Sequence, residues 1–193
     1  MKYPALLLTL MLVGCAAQPT VKSWMDPKSS VTITAQTEPL VLIRARSEPS
    51  LNVREYAQLS AIEVNRMGER KLYLVAILWN SAETWSDQTG TFRHSFKQIA
   101  VDLGDRSIAL TPYAGEASEL GINQALPLPT PGSSPIYFPI SRDDLRAISR
   151  SPRIELTARG STEAPRRYEE WQDGRRSLND FLSQVPETTR PQS

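Results

Sequence analysis

The chain of 193 residues carries 22 Lys+Arg against 21 Asp+Glu, one His and one Cys, with 40% hydrophobic and 7% aromatic residues, the composition of an ordinary globular domain. A net charge of +1 supplies no clustered excess of cations for gripping a phosphate backbone, so nucleic acid is not an expected partner. With nine Gly and no Gly-x-Gly, neither a dinucleotide fingerprint nor a Walker phosphate loop can be drawn.

Met1-Lys2-Tyr3 is a short basic start, residues 4–13 form an apolar run, and Gly14-Cys15-Ala16-Ala17 is small. That order reads as a secretory signal over residues 1–14, too short for the roughly 20 apolar residues of a membrane span. Leu12-Val13-Gly14-Cys15 resembles the lipobox of bacterial lipoproteins; it closes the leader, and its Cys is the only one in the chain. The resemblance implies cleavage between Gly14 and Cys15. It also implies a covalent diacylglycerol and an N-acyl chain of palmitate type on Cys15, with no other cofactor. In Gram-negative members an Asp after the Cys retains the protein at the inner membrane, so Ala16 implies the periplasmic face of the outer membrane. The bilayer is then a partner through the anchor, which several acyl chains make firm at about 0.8 kcal/mol per buried CH2. Without residues 1–14 the acidic and basic residues are equal in number, and no second Cys is present to form an internal disulfide.

Residues 15–30, with Pro19, Pro27 and little periodicity, are expected to be the lipidated N-terminus and a tether holding the domain off the bilayer, with Trp24 placed to dock on it. One domain is expected over 31–185 and a disordered polar tail over 186–193. Val31, Ile33 and Ala35 alternate with polar residues, which predicts a strand with one wet face. A second is predicted at Leu40 to Arg46. Leu72 to Trp79 is apolar at nearly every position, as in a central strand covered on both faces. It is expected to pair with the run from Val53 to Asn65 through a turn in which Gly68 takes positive φ. Ile99, Val101 and Leu103 lead into Gly104-Asp105, and Ile108 and Leu110 lead out, a hairpin. Further strands are predicted at Ile136 to Ile140, Arg153 to Arg159 and Arg166 to Trp171.

Two helices interrupt the β pattern. Ser141 is an N-cap followed by Asp143 and Asp144, Ile140 and Leu145 form a hydrophobic staple, and Pro152 ends the helix near Arg150. Leu178, Phe181, Leu182 and Val185 make one apolar stripe that Pro186 terminates. The fold class is therefore mainly β: a single β-sandwich of about seven to nine strands, immunoglobulin-like or transthyretin-like by architectural analogy only. Two short helices in its C-terminal part cover an end or face of the sheet.

Chemistry is thin in this sequence. His94 alone cannot make a metal site, which takes three or four ligands, and no metal ligand set is assigned. Asp102-Leu103-Gly104-Asp105 reads as a turn, not a calcium loop. Glu169-Glu170 and Asp143-Asp144 read as surface charge and helix capping. No nucleophile elbow or Ser-x-x-Lys is present, so no catalytic residue is named and an enzyme is not expected. Two loops are candidate binding surfaces. Residues 80–91 carry Trp85. Residues 112–135 carry Tyr113 and Leu126-Pro127-Leu128-Pro129, a segment that either covers the domain's own core or is offered to a partner, with Leu126 and Leu128 as the contacts. The expectation is a non-enzymatic accessory lipoprotein that binds another envelope protein. The alternative is a module for small ligands or glycans, stacking them on Trp79, Trp85 or Tyr113. Oligomeric state is not legible.

Overall fold

The computed structural model describes residues 19–45, 54–81, 97–124, 126, 129, 133–160 and 164–187. The described residues form ten strands and two helices in the order β1 (Val21–Met25), β2 (Thr32–Gln36), β3 (Leu40–Ala45), β4 (Arg54–Arg66), β5 (Glu69–Asn80), β6 (Gln98–Asp102), β7 (Ser107–Leu110), β8 (Pro135–Pro139), α1 (Arg142–Arg150), β9 (Glu155–Arg159), β10 (Arg166–Gln172) and α2 (Arg175–Gln184). Every pairing is antiparallel, along the path β1-β2-β4-β3-β10-β9-β6-β7, with β5 joining β4 to β8. Side chains of β5 and β8 share one core cluster with those of β9, β6 and β7, so this open sheet folds over itself in two layers. The fold is mainly β with two C-terminal helices, as the periodicity predicts.

The long β4–β5 hairpin is the spine. Its loop is Met67-Gly68, with φ of 52° and 96°, the two positive values of a type I′ turn, which follows the natural twist of the strands. Asn65 Oδ1 accepts the Gly68 N–H at 2.9 Å. One edge of β4 pairs with β5 from Glu55 to Arg66. The other edge is shared end to end: β3 pairs with residues 54–59 and β2 with residues 62–65.

Successive residues of β5 point to opposite faces, and both faces are covered. Leu74, Ala76 and Leu78 enter a large core with Leu42, Ile99, Leu156 and Tyr168, and both helices close it through Leu145, Ile148, Leu178 and Phe181. Tyr73, Val75 and Ile77 enter a second core with Ile33, Ile62 and Tyr137, covered by Leu120, Ile122 and Leu126. This explains the unbroken apolar run.

The α1 cap forms as its sequence predicts. Ser141 is extended, its Oγ accepts the Asp144 N–H at 3.0 Å, and Ile140 packs on the core that buries Leu145. In α2 the stripe Leu178, Phe181, Leu182 and Val185 is buried and the helix stops before Pro186. From α1, Arg142 Nη1 donates to Val185 O at 2.6 Å and Nη2 to Leu182 O, placing a cation on the carbonyl end of α2.

Two expectations are corrected. The folded unit begins before Val31, because Val21–Met25, assigned to the tether, pairs with β2 as strand β1. The strand count is ten rather than seven to nine, and β1 supplies the excess.

Candidate functional site

Of the residues singled out from the sequence, Gly14, Cys15, Trp85, His94 and Leu128 lie outside the described residues, as does most of the 80–91 loop. Tyr113 and Leu126 are described, and both turn inward. Leu126 is buried in the second core. Tyr113 packs edge-on against Tyr73, with ring centroids 6.4 Å apart, and its Oη donates to Glu119 Oε2 at 3.2 Å. Burial and the adjacent Glu119 carboxylate push its phenol above the ordinary tyrosine range. Leu126 therefore lines a core, whereas Tyr113 is half-buried at its margin and lines a small surface pocket of about 110 Å³ with Lys71, Tyr73 and Glu119. Trp79 stacks on Tyr56 at 5.2 Å and 12°, which takes up one face of its ring. Trp24 packs against the second core, as its docking reading expects.

Three buried carboxylates were missed from the sequence. Asp26, in the β1–β2 connection, accepts the backbone N–H groups of Lys28, Ser29, Asn123 and Gln124 at 2.7–3.1 Å, and Asn123 Nδ2 at 3.1 Å. It fastens the cover of the second core to the edge of the sheet. Glu55 accepts Arg44 Nη1 and the Tyr168 hydroxyl, each at 3.0 Å, with Arg166 Nη1 at 3.6 Å. Glu63 takes Arg70 Nη1 on both oxygens, at 2.9 and 3.2 Å. Asp26-Pro27 is a local turn signal, but no nearby sequence feature announces the arginines that face Glu55. Glu170, read as surface charge, holds Arg175 in a two-point pair at 2.5 Å on each oxygen. Asp102 caps its turn, with Oδ1 accepting the Gly104 N–H at 2.8 Å, and no group of three potential metal ligands occurs among the described residues.

Two surface features remain open to partners. The first is a groove of about 730 Å³ between the β6–β7 turn and α1, lined by Arg106, Arg146, Arg150 and Arg153 with Asp105 and Asp143. Arg146 pairs with Asp143 at 2.6 Å and Arg106 with Asp144 at 3.5 Å, whereas exposed Arg150 has no ion pair among the described residues. The second is the place where the chain enters the domain. Thr37 donates through its N–H to Thr20 O at 2.9 Å and through Oγ1 to Pro19 O at 2.6 Å. Thr20 Oγ1 donates to Asp180 Oδ2 at 2.8 Å, and Ser177 Oγ to Thr20 O at 2.7 Å. Pro19 and Thr20 are thereby pinned between the β2–β3 turn and α2.

No family model, curated protein or solved structure matches the chain. Among the described residues no helix is long and apolar enough to cross a membrane.

Proposed function

We propose that the protein is a lipid-anchored envelope lipoprotein, held by acyl chains on Cys15 at the periplasmic face of the outer membrane, and that it works as a non-enzymatic accessory module binding another envelope protein. The observation that carries this reading is Leu12-Val13-Gly14-Cys15 closing a basic and then apolar leader. The start of β1 at Val21 supports it, since a folded unit follows the cleavage point at once. Partner binding draws on the strand edges: among the described residues β1 and β7 end the sheet path, and an edge strand can accept an added strand. The test is the mass of the mature chain from separated inner and outer membranes, beside a Cys15→Ser control. Acylated protein starting at Cys15 in the outer membrane is expected, and an unmodified soluble chain would overturn the anchor. Crosslinking in intact envelopes should recover one reproducible partner; recovery of abundant lipoproteins and chaperones alone would remove the partner-binding half.

A second reading, a module for small ligands, draws on the arginine-lined groove beside α1. Arg106, Arg146 and Arg153 are paired with carboxylates, but Arg150 is unpaired among the described residues, and its guanidinium favours an anionic ligand. Titration with anionic glycan fragments, repeated on Arg150→Ala, separates this reading from the first.

A further inference from the structure

The two pinned residues at the chain entrance fix how the domain meets a bilayer. Resting on the reading of Cys15 as the lipidated residue, we infer that the anchor is a short leash that sets one pole of the domain, around Thr37, Asp180 and the outer side of α2, directly on the lipid headgroups. Pro19 is held by Thr37, and Thr20 by Thr37, Ser177 and Asp180, so the chain is fastened to the domain from Pro19 onward. Four Cα–Cα steps separate it from Cys15, which bounds the span at about 15 Å however the segment is arranged. A domain of this size is about 40 Å across. The leash is less than half of that, so the domain cannot turn its far side to the membrane that holds Cys15.

The chemistry of this pole fits a headgroup layer rather than hydrocarbon. Lys22, Glu38, Arg176, Asn179 and Ser183 are exposed around it. The exposed large apolar residues, Met25, Met67 and Trp171, belong to other parts of the sheet. Met67 marks a distant point: Val21 lies level with the start of the β2-paired part of β4, and the hairpin tip is five residues beyond Ile62, roughly 17 Å along the strand.

The test uses the full mature lipoprotein in vesicles of phosphatidylethanolamine and phosphatidylglycerol that carry a headgroup quencher. A fluorophore is placed on Asn179→Cys or on Met67→Cys, both exposed positions. Quenching at 179 is expected to exceed that at 67 several-fold. Inserting about ten Gly and Ser residues between Ala17 and Gln18, enough to add a flexible reach of roughly 17 Å, should lower quenching at 179 and narrow the difference between the two sites. Acylated protein with equal quenching at both sites, or with quenching at 179 unchanged by the insertion, overturns the leash and leaves the anchor standing. A chain without acyl mass at Cys15 overturns both.

Discussion

Where β4 exchanges β2 for β3, residues 60–61 fall between two ladders, and a buried backbone N–H left there without a partner is costly. Gln36 fills the gap: its Oε1 accepts the Ala61 N–H at 3.0 Å, while Nε2 donates to Glu38 O at 2.7 Å and Gly174 O at 3.0 Å. Gln36→Leu keeps the volume and removes all three bonds, so it is expected to cost about 2–4 kcal/mol in urea unfolding; a loss under about 0.5 kcal/mol would mean that water replaces the amide. Asp26 makes the complementary case for charge. Burial alone would raise its carboxyl, but the hydrogen bonds from Asn123, Ser29 and Lys28 outweigh that and hold it well below the usual carboxylate range. A carboxyl with a folded pKa below its unfolded value of about 3.9 stabilises the fold fully above that value, and loses the contribution as pH falls through it toward the folded value. Asp26→Asn, which cannot titrate, should be less stable at pH 7 and show a shallower decline in urea midpoint between about pH 5 and pH 3. Parallel curves for the two proteins would reject the assignment.

At the scale of elements, α2 is seated by a close approach of backbone to backbone. A Cβ added at Gly174 would lie 2.5 Å from Pro39 C and from Leu40 N, atoms that cannot rotate away. Gly174→Ala is therefore expected to cost about 1–3 kcal/mol by lifting the helix from the β2–β3 turn, with lost protection from hydrogen exchange at Leu178 as its signature. Unchanged exchange there would place the strain elsewhere. The elements that the sequence showed well are those whose cause is local: the doubly covered run of β5, the Ser141 cap, the α2 stripe stopped by Pro186. β1 was missed because Pro19 and Pro27 bracket a run with only Val21 buried, and an edge strand needs one ladder and one apolar contact, neither visible locally. Glu55 and Glu63 fall by period two on the same face of β4 as Ala57, Leu59 and Ala61, but nothing in the strand itself names the partners that a charge on that face requires. Both carboxylates are buried because Arg44, Arg70 and Arg166 come to meet them, each from a different strand, β3, β5 and β10. The proposed anchor rests on a short local motif, whereas the pinned entrance at Thr20 depends on Ser177 and Asp180, far away in the chain.

At the scale of the molecule, the described residues form two cores on opposite faces of one hairpin, and the hairpin decides whether they are separate. Val75 and Ile77 belong to the second core while Leu74 and Ala76, their immediate neighbours, belong to the first. Losing packing on one face of β5 must loosen the strand that the other face is built on. The alternative is a detachable cover, in which residues 111–124 and the β1–β2 edge open alone and leave the large core intact. Ile122→Ala distinguishes these. Ile122 is a buried side chain of the cover itself, and its truncation is expected to cost about 2–4 kcal/mol. If the cores unfold together, the slowest-exchanging amides of β4, β5 and also β9 should all accelerate by one factor, about tenfold for each 1.4 kcal/mol lost. β9 is the informative strand, since Leu156 and Ala158 belong to the first core, whereas the cover packs on the second. Equal acceleration in β9 is the expected result, because β4 and β5 are shared by both cores. Amides of β9 exchanging at the wild-type rate, while those of β2 speed up, would show two units joined by a hairpin rather than one cooperative domain.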